Sequence, residues 1–328
     1  MNKGGMGGFE KSFVTKQGSN LDNTLNQPGN GIPQQGNGQL TLREERSLKV
    51  RKVFRRIPKT AAVIIFLLLA CAIFSPWIAP HDPIKQNLID ALKPPCWQQG
   101  GSPNYILGTD NLGRDILSRI VYGARVSTIV GFAAVFLSGV LGTLLGIIAG
   151  YFGGKIDSVI MRFTDMMLSL PYILIAIAII GAIGPNLTNL IIVLGITQWV
   201  GYTRIVRFEA MSLSKSEFIE MAVISGCKWW RILLVHILPN VLNTAVVLAT
   251  LDVGKMIIFE AAMSFLGLGV KPPTPSWGGM LADGRVYLTF AWWIATFPGI
   301  AICITVLGGN LLGDWLRDEL DPRHQLKA

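Results

Sequence analysis

An all-α, polytopic membrane protein with about six transmembrane helices is the fold this sequence predicts, from its composition, the length of its apolar stretches and the placement of its charges. The 328 residues are 51% hydrophobic and 15% charged, with a mean hydropathy of +0.47. Soluble domains carry roughly 25% charged residues. The apolar residues gather into stretches of about 20, the length that crosses a hydrocarbon core. Formal net charge is +9 and the isoelectric point about 9.5, yet Lys and Arg lie between the apolar stretches instead of forming one stripe. The positive-inside rule accounts for that pattern, and no nucleic-acid partner is expected. The 4 cysteines, Cys71, Cys96, Cys227 and Cys303, fall in separate segments. Neither a disulfide framework nor a metal site is expected from them.

Residues 1–42 are rich in Gly, Asn, Gln and Ser. They have almost nothing apolar to bury against the entropy of ordering, so a disordered cytoplasmic tail is expected. No apolar stretch follows the start closely enough for a signal peptide. Arg43, Arg46, Lys49, Arg51, Lys52, Arg55, Arg56 and Lys59 then precede the uncharged stretch 61–78, which places the N-terminus inside and makes 61–78 the first span. Residues 79–126 are polar and Pro-rich, without a positive excess, and are expected outside. The segment 43–123 is therefore grouped as a first helix with an external portion.

The second span is expected near 127–149, where Gly142, Gly146 and Gly150, continued by Gly154, recur every fourth residue. Such a ladder lets a neighbouring backbone approach closely where lipid supplies no hydrophobic drive. Lys155 and Arg162 mark an inner turn. A third span near 163–183 is expected to kink at Pro171, with Asp165 at the interface, and a fourth near 187–206 returns to Arg204 and Arg207. The fifth, near 241–265, carries Asp252, Lys255 and Glu260; Gly and Pro then exclude regular helix over 266–278. The sixth, near 291–312, has Trp292 and Trp293 at its outer end and Pro298 as a kink. The transmembrane unit is drawn at 124–316, with an inner loop at 208–240 and a cytoplasmic tail at 317–328.

That loop is a polar island between spans. Ser214 followed by Glu217 predicts a capping box and a short helix, Gly226 a left-handed stop, and Lys228 onward a second short helix that Pro239 separates from the next span. Ala222 and Gly226, four apart, leave one helical stripe nearly bare, with Glu217 and Glu220 on an adjacent face.

Glu220-Met221-Ala222, three residues, Gly226, and then Ile237-Leu238-Pro239 resemble the "EAA" loop of ABC-importer permease subunits; Met221 and His236 are mild departures. The run Leu107-Gly108-Thr109-Asp110-Asn111-Leu112-Gly113-Arg114-Asp115-Ile116-Leu117-Ser118-Arg119 is similar to a segment of the second permease of dipeptide and oligopeptide ABC importers. So are the stretch 264–269, the Pro-Thr-Pro-Ser-Trp-Gly run at 273–278, and Gly313-Asp314-Trp315-Leu316-Arg317-Asp318 with Asp321-Pro322-Arg323. The likeness covers about residues 60–325, and the segment 92–102 leans toward the dipeptide branch. On the residues themselves, Asp110 or Asn111 is expected to turn the chain and Arg114 beside Asp115 to pair or cap the next helix.

The resemblance implies a type I ABC importer permease fold forming half of a translocation path for di- or oligopeptides by alternating access. It implies that Glu217, Glu220, Met221, Ala222, Gly226, Ile237, Leu238 and Pro239 belong to the loop that docks on an ATPase subunit. The implied partners are a second permease, two ATPase subunits, an external or periplasmic solute-binding protein and the lipid bilayer of a bacterial cytoplasmic (inner) membrane, with both termini inside. ATP and Mg would be bound by the ATPase partners. Close relatives of this kind also import nickel chelates, opines or glutathione, and those solutes stay open.

Neither Gly154-Lys155 nor Gly254-Lys255 stands in a phosphate-binding loop, so no ATP hydrolysis by this chain is expected. His81, His236 and His324 lie in separate regions and suggest neither a metal site nor a catalytic triad. The competing class is a stand-alone ion-coupled carrier or intramembrane enzyme using Asp252, Lys255 and Glu260; the paired broken spans of inverted repeats that such carriers show are not visible. Each of these charges would cost about 2.5–3.5 kcal/mol at a lipid-exposed helix centre, so that side of the fifth span is not expected to face lipid. Asp252 and Lys255 share a helical face and are expected to pair, placed at the interface between permeases or lining the translocation path.

Overall fold

The computed structural model describes residues 58–320. The expected tail 1–42, the basic flank up to Arg56, and the C-terminal residues from Asp321, His324 among them, lie outside the described residues. Among those described, the chain is helical, with a single isolated β-bridge between Thr109 and Asp115. In order, the helices are α1 (Lys59–Ile78), α2 (Ile116–Phe152), α3 (Gly154–Ser169), α4 (Tyr172–Ile183), α5 (Leu187–Ser214), α6 (Glu217–Ile224), α7 (Trp229–Phe265), α8 (Trp277–Gly284) and α9 (Trp293–Leu320). Helices α1, α2, α5, α7 and α9 are each long and apolar enough to cross a membrane, and α3 with α4 makes a sixth span if the bent pair is counted as one.

Two boundaries differ from the sequence expectation. Helix α2 starts at Ile116, well before residue 127, because the Asp115 carboxylate accepts from Ser118 N at 3.0 Å and satisfies an amide of the first turn. Pro171 does more than kink the third span: α3 and α4 meet at 85°. Leu170 is extended at φ −109° and ψ 138°, the conformation that a following proline imposes. Pro298, by contrast, is absorbed inside α9. Helix α8 occupies part of the region expected to be irregular, since Ser276 Oγ accepts from Gly279 N at 3.1 Å and starts a helix directly after the prolines.

The most extensive pairing is α2 against α5. A Cβ on Gly142 would stand 2.4 Å from the Trp199 carbonyl oxygen, one on Gly146 2.8 Å from Val206 Cβ, and one on Gly150 2.6 Å from the Arg207 carbonyl oxygen. The backbones touch there only because side chains are missing. Gly154 leaves the ladder: it is left-handed at φ +53° in the turn, and a Cβ there would meet nothing within 4 Å. Helix α3 is held to α5 by Arg207 with Asp157 and by Arg204 with Asp165.

Apolar packing falls into three clusters. At the loop end, Ile147, Val206, Ile219, Ile232, Ile237 and Val241 close on one another. A middle cluster joins Val130, Ile180, Leu190, Leu194 and Met256. The opposite end is built on Ile116, Ile257, Trp277, Trp293 and Ile294.

Candidate functional site

The loop between α5 and α7 forms a rigid elbow. Helix α5 runs on through Ser214, whose hydroxyl donates to Met211 O at 2.9 Å, so the expected capping box between Ser214 and Glu217 does not form. Ser216 is the N-cap of α6 instead, and its hydroxyl turns back to Leu213 O. Glu217 opens the helix, where a carboxylate favours the positive end of the dipole. Helix α6 closes as expected at Gly226, with φ +78°. Gly226 N donates to Val223 O at 2.9 Å and Cys227 N to Ala222 O at 3.1 Å, the pair of bonds of a Schellman stop.

The second helix of the elbow is not separated from the span. Trp229 to Phe265 is one continuous helix, and Ile232–Ile237 within it is π-helical. Pro239 cannot donate to the carbonyl four residues back and its ring would press on it; the wider π turn just before it relieves that conflict, and Leu238 N reaches Leu233 O instead. Ile237 is buried and Pro239 exposed.

The elbow stands on an apolar foot and presents an apolar top. Ile219, Ile232 and Ile237 are at most 1% exposed, against Ile147, Val206 and Ala210. Met221, Val223, Ile224, Trp229 and Trp230 all project outward, Ile224 at 79%. Glu217 and Glu220 are exposed, Ala222 is half-buried, and a Cβ on Gly226 would meet open space. The surface on offer is thus a set of protruding apolar side chains around Met221 and Ile224, flanked by two carboxylates. Gly226 shapes the turn beneath it.

The three charges of α7 fall into two groups. Lys255 Nζ donates to Asp252 Oδ1 at 3.1 Å, the pairing expected from their spacing. Glu260 is separate and fully buried: Ser127 Oγ donates to it at 3.1 Å and Ser264 Oγ at 2.8 Å. It clasps α7 to α2 beside the tight contact of Gly278 with the Ala261 backbone.

At the opposite end the chain turns at Asp110, with Gly113 N donating to Asp110 O at 3.0 Å. Asp110 accepts from Arg114 Nε at 2.6 Å and from Arg119 Nη1, and both guanidinia are buried. Asp283 of α8, half exposed, reaches them at 3.7 and 3.8 Å. Burial pushes the Asp283 carboxyl above its ordinary value, against the pull of Arg119 and Arg114. Trp293 Nε1 donates to Thr109 O at 3.1 Å and Trp277 Nε1 to Ile120 O at 2.9 Å, which ties this segment to α8 and α9. Asp115, beside Arg114, caps α2 and faces His81 Nδ1 at 3.4 Å. Lys93 and Tyr105 hold the nearby Asp90 carboxyl below its usual range. Among the described residues no group of His, Cys, Asp and Glu is arranged to hold a metal.

A helical bundle of five or six spans, with an apolar elbow at one end and a charge-locked cap at the other, defines a multi-pass membrane protein. Residues 142–325 match the family described as "binding-protein-dependent transport system inner membrane component", and residues 56–95 match "N-terminal TM domain of oligopeptide transport permease C". The chain is 42% identical over 261 residues to the di/tripeptide transport system permease protein DppC of Pseudomonas aeruginosa, covering 80% of this chain and 86% of that relative. It is 44% identical over 261 residues to the dipeptide permease DppC of Escherichia coli K12, covering 80% and 87%. To the glutathione transport system permease protein GsiD of another E. coli strain it is 44% identical over 272 residues, covering 82% and 88%. The chain belongs to the family of binding-protein-dependent transport inner-membrane components, with the type I ABC permease fold.

Proposed function

We propose that this chain is one of two permeases of an ATP-driven importer of di- and oligopeptides in a bacterial cytoplasmic membrane. The observation that carries the assignment is the elbow at 214–239, with its buried foot and its protruding Met221, Ile224, Trp229 and Trp230. An apolar surface of that kind, rimmed by Glu217 and Glu220, suits a groove on another protein and is costly to leave in water. The occupant of that role is an ATPase subunit, one for each permease, and those subunits bind ATP and Mg. Closure of the ATPases pushes the elbow, and the continuous α7 passes the movement into the bundle to alternate access. An external solute-binding protein delivers the peptide to the opposite end. Both termini are cytoplasmic, 124–316 acts as the transmembrane unit, and 43–123 adds the first helix and the external segment.

The relatives named for dipeptide transport support the cargo assignment. Similarity to a glutathione permease favours glutathione, itself a modified tripeptide, as a second reading. Titrating the purified binding protein with a panel of di-, tri- and oligopeptides and glutathione separates the two.

The elbow is tested at Gly226. Leucine there has room but is forced into a left-handed backbone, whereas asparagine tolerates that conformation. Gly226→Leu is expected to insert normally and to lose peptide-stimulated ATP hydrolysis and uptake, and Gly226→Asn to retain most of both. Normal uptake by Gly226→Leu at normal expression would remove the elbow from the mechanism.

A further inference from the structure

A cleft of about 480 Å³ opens between α5, α7 and α9, with Ile205, Thr244, Leu248, Leu251 and Arg317 among its lining residues. Thr244, Leu248 and Leu251 are followed at the same helical spacing by Lys255, which therefore lies on the α7 stripe that walls the cleft, one turn beyond Leu251. On the α5 wall, Ile205 stands one turn from Tyr202.

Three polar side chains meet one turn beyond the cleft's lining residues. Lys255 Nζ sits on Asp252 Oδ1 at 3.1 Å, and the lysine side chain is 52% exposed while the aspartate is 21% exposed. Tyr202 is 1% exposed, and its buried hydroxyl lies beside Asp252 and Ser138 without a hydrogen bond of full geometry to either. The carboxylate is thus on the inner side, next to the Tyr202 hydroxyl, and the ammonium is on the open side. A buried hydroxyl without a well-formed hydrogen bond costs free energy in this state. Lipid does not explain this face, because an ion pair is expensive to hold against hydrocarbon.

Resting on the peptide-import assignment above, we propose that Asp252, Lys255 and Tyr202 form a station for the charged termini of a zwitterionic peptide in transit. Lys255 ends in a primary ammonium, the same group as a peptide N-terminus. An arriving peptide exchanges partners with it: the peptide ammonium donates to Asp252, which the buried Tyr202 hydroxyl backs, and Lys255 swings to the peptide carboxylate. No net charge enters or leaves, so the empty station and the loaded one are both neutral in a low-dielectric setting. The pair that neutralises the empty path is the pair that reads the cargo.

The test uses the complete importer with its binding protein in proteoliposomes, and labelled dialanine as cargo. Asp252→Asn/Lys255→Met strands no charge. It is expected to assemble with both ATPase subunits in normal yield and to turn over dialanine at least tenfold more slowly at saturating loaded binding protein. Tyr202→Phe keeps the ring and is expected to slow turnover severalfold. A double variant that transports at the unaltered rate makes the pair structural only and overturns the station. A second measurement needs no substitution: a dipeptide carrying benzoylphenylalanine is photolysed in the unaltered complex arrested with ATP and vanadate. Adducts are expected on 248–258 of α7 or on Tyr202, and adducts confined to other segments overturn the proposal. Absence of dialanine uptake by the unaltered importer sinks peptide import itself, whereas uptake that survives in the double variant sinks only the station.

Discussion

Gly142→Ala adds one methyl group to the most extensive seam of the bundle. The new Cβ would lie 2.4 Å from the Trp199 carbonyl oxygen and 2.5 Å from Tyr202 Cβ. Ordinary carbon contacts are about 3.5–4.0 Å, so α2 and α5 must part locally by about 1 Å. The Trp199 oxygen belongs to a helix backbone and cannot rotate away. A gap of that size forfeits up to about half of each neighbouring dispersion contact, and overpacking of this kind costs about 1–3 kcal/mol. We expect a loss near the upper end, about 2–3 kcal/mol, because the strain falls on backbone. The assay is the folded fraction surviving a heating series in detergent, read by size-exclusion fluorescence. Two controls lie on the same helix pair. A Cβ on Gly139 would sit 3.6 Å from the Tyr202 ring, an ordinary contact, and one on Gly201 would meet nothing within 4 Å. Gly139→Ala and Gly201→Ala should be neutral or stabilising by up to about 1 kcal/mol, the usual gain of alanine over glycine in a helix. A Gly142→Ala protein that melts with these controls would refute the view that backbone approach stabilises the seam.

Asp110→Ala leaves Arg114 and Arg119 buried with only the half-exposed Asp283 for company, and should cost about 3–5 kcal/mol, visible as failure to accumulate folded permease. Asp283 itself gives a pH signature. An acid whose folded pKa is raised binds its proton more tightly in the folded state, so stability falls as pH rises from the ordinary carboxylate value through the raised one. Asp283→Asn should flatten that part of the thermal-stability profile, and an unchanged slope would discharge Asp283 from this role. If the segment 79–115 lies outside as proposed, exposed Cys96 should react with an impermeant thiol reagent in intact spheroplasts, and Cys227 at the elbow only after the membrane is opened. The reverse pattern would invert the orientation.

Spans were legible because hydropathy and charge report them directly; α1, α2, α5, α7 and α9 all fall where apolar runs stand between charged turns. Local stops depended on how far each helix was driven by its tertiary contacts. Ser214 carries a valid capping pattern, but α5 is held helical past it by Val206 and Ala210 packed on the elbow, so the cap moves to Ser216. Pro239 reads as a break, and only the π turn at 232–237, which has no sequence signature, shows how a helix continues through it. Asp252 with Lys255 could be paired from spacing alone. Tyr202 could not be joined to them, since it comes from α5, fifty residues away in sequence. Likewise, the Asp110 motif could be recognised but its charge lock could not, because Asp283 arrives from a distant segment.

The unbroken run from Trp229 to Phe265 has a mechanical meaning. Its 37 residues make an arm about 55 Å long at 1.5 Å per residue, with the elbow at one end and the Glu260 clasp near the other. No flexible joint divides it. A shove on Trp229 therefore cannot be dissipated in a loop, and must appear as tilt or twist of the whole arm about whatever holds it. The π turn is its one underwound section, a local change in helical twist along the arm. Stiffening that section would change the gearing between the elbow and the bundle while leaving every surface contact of the elbow in place.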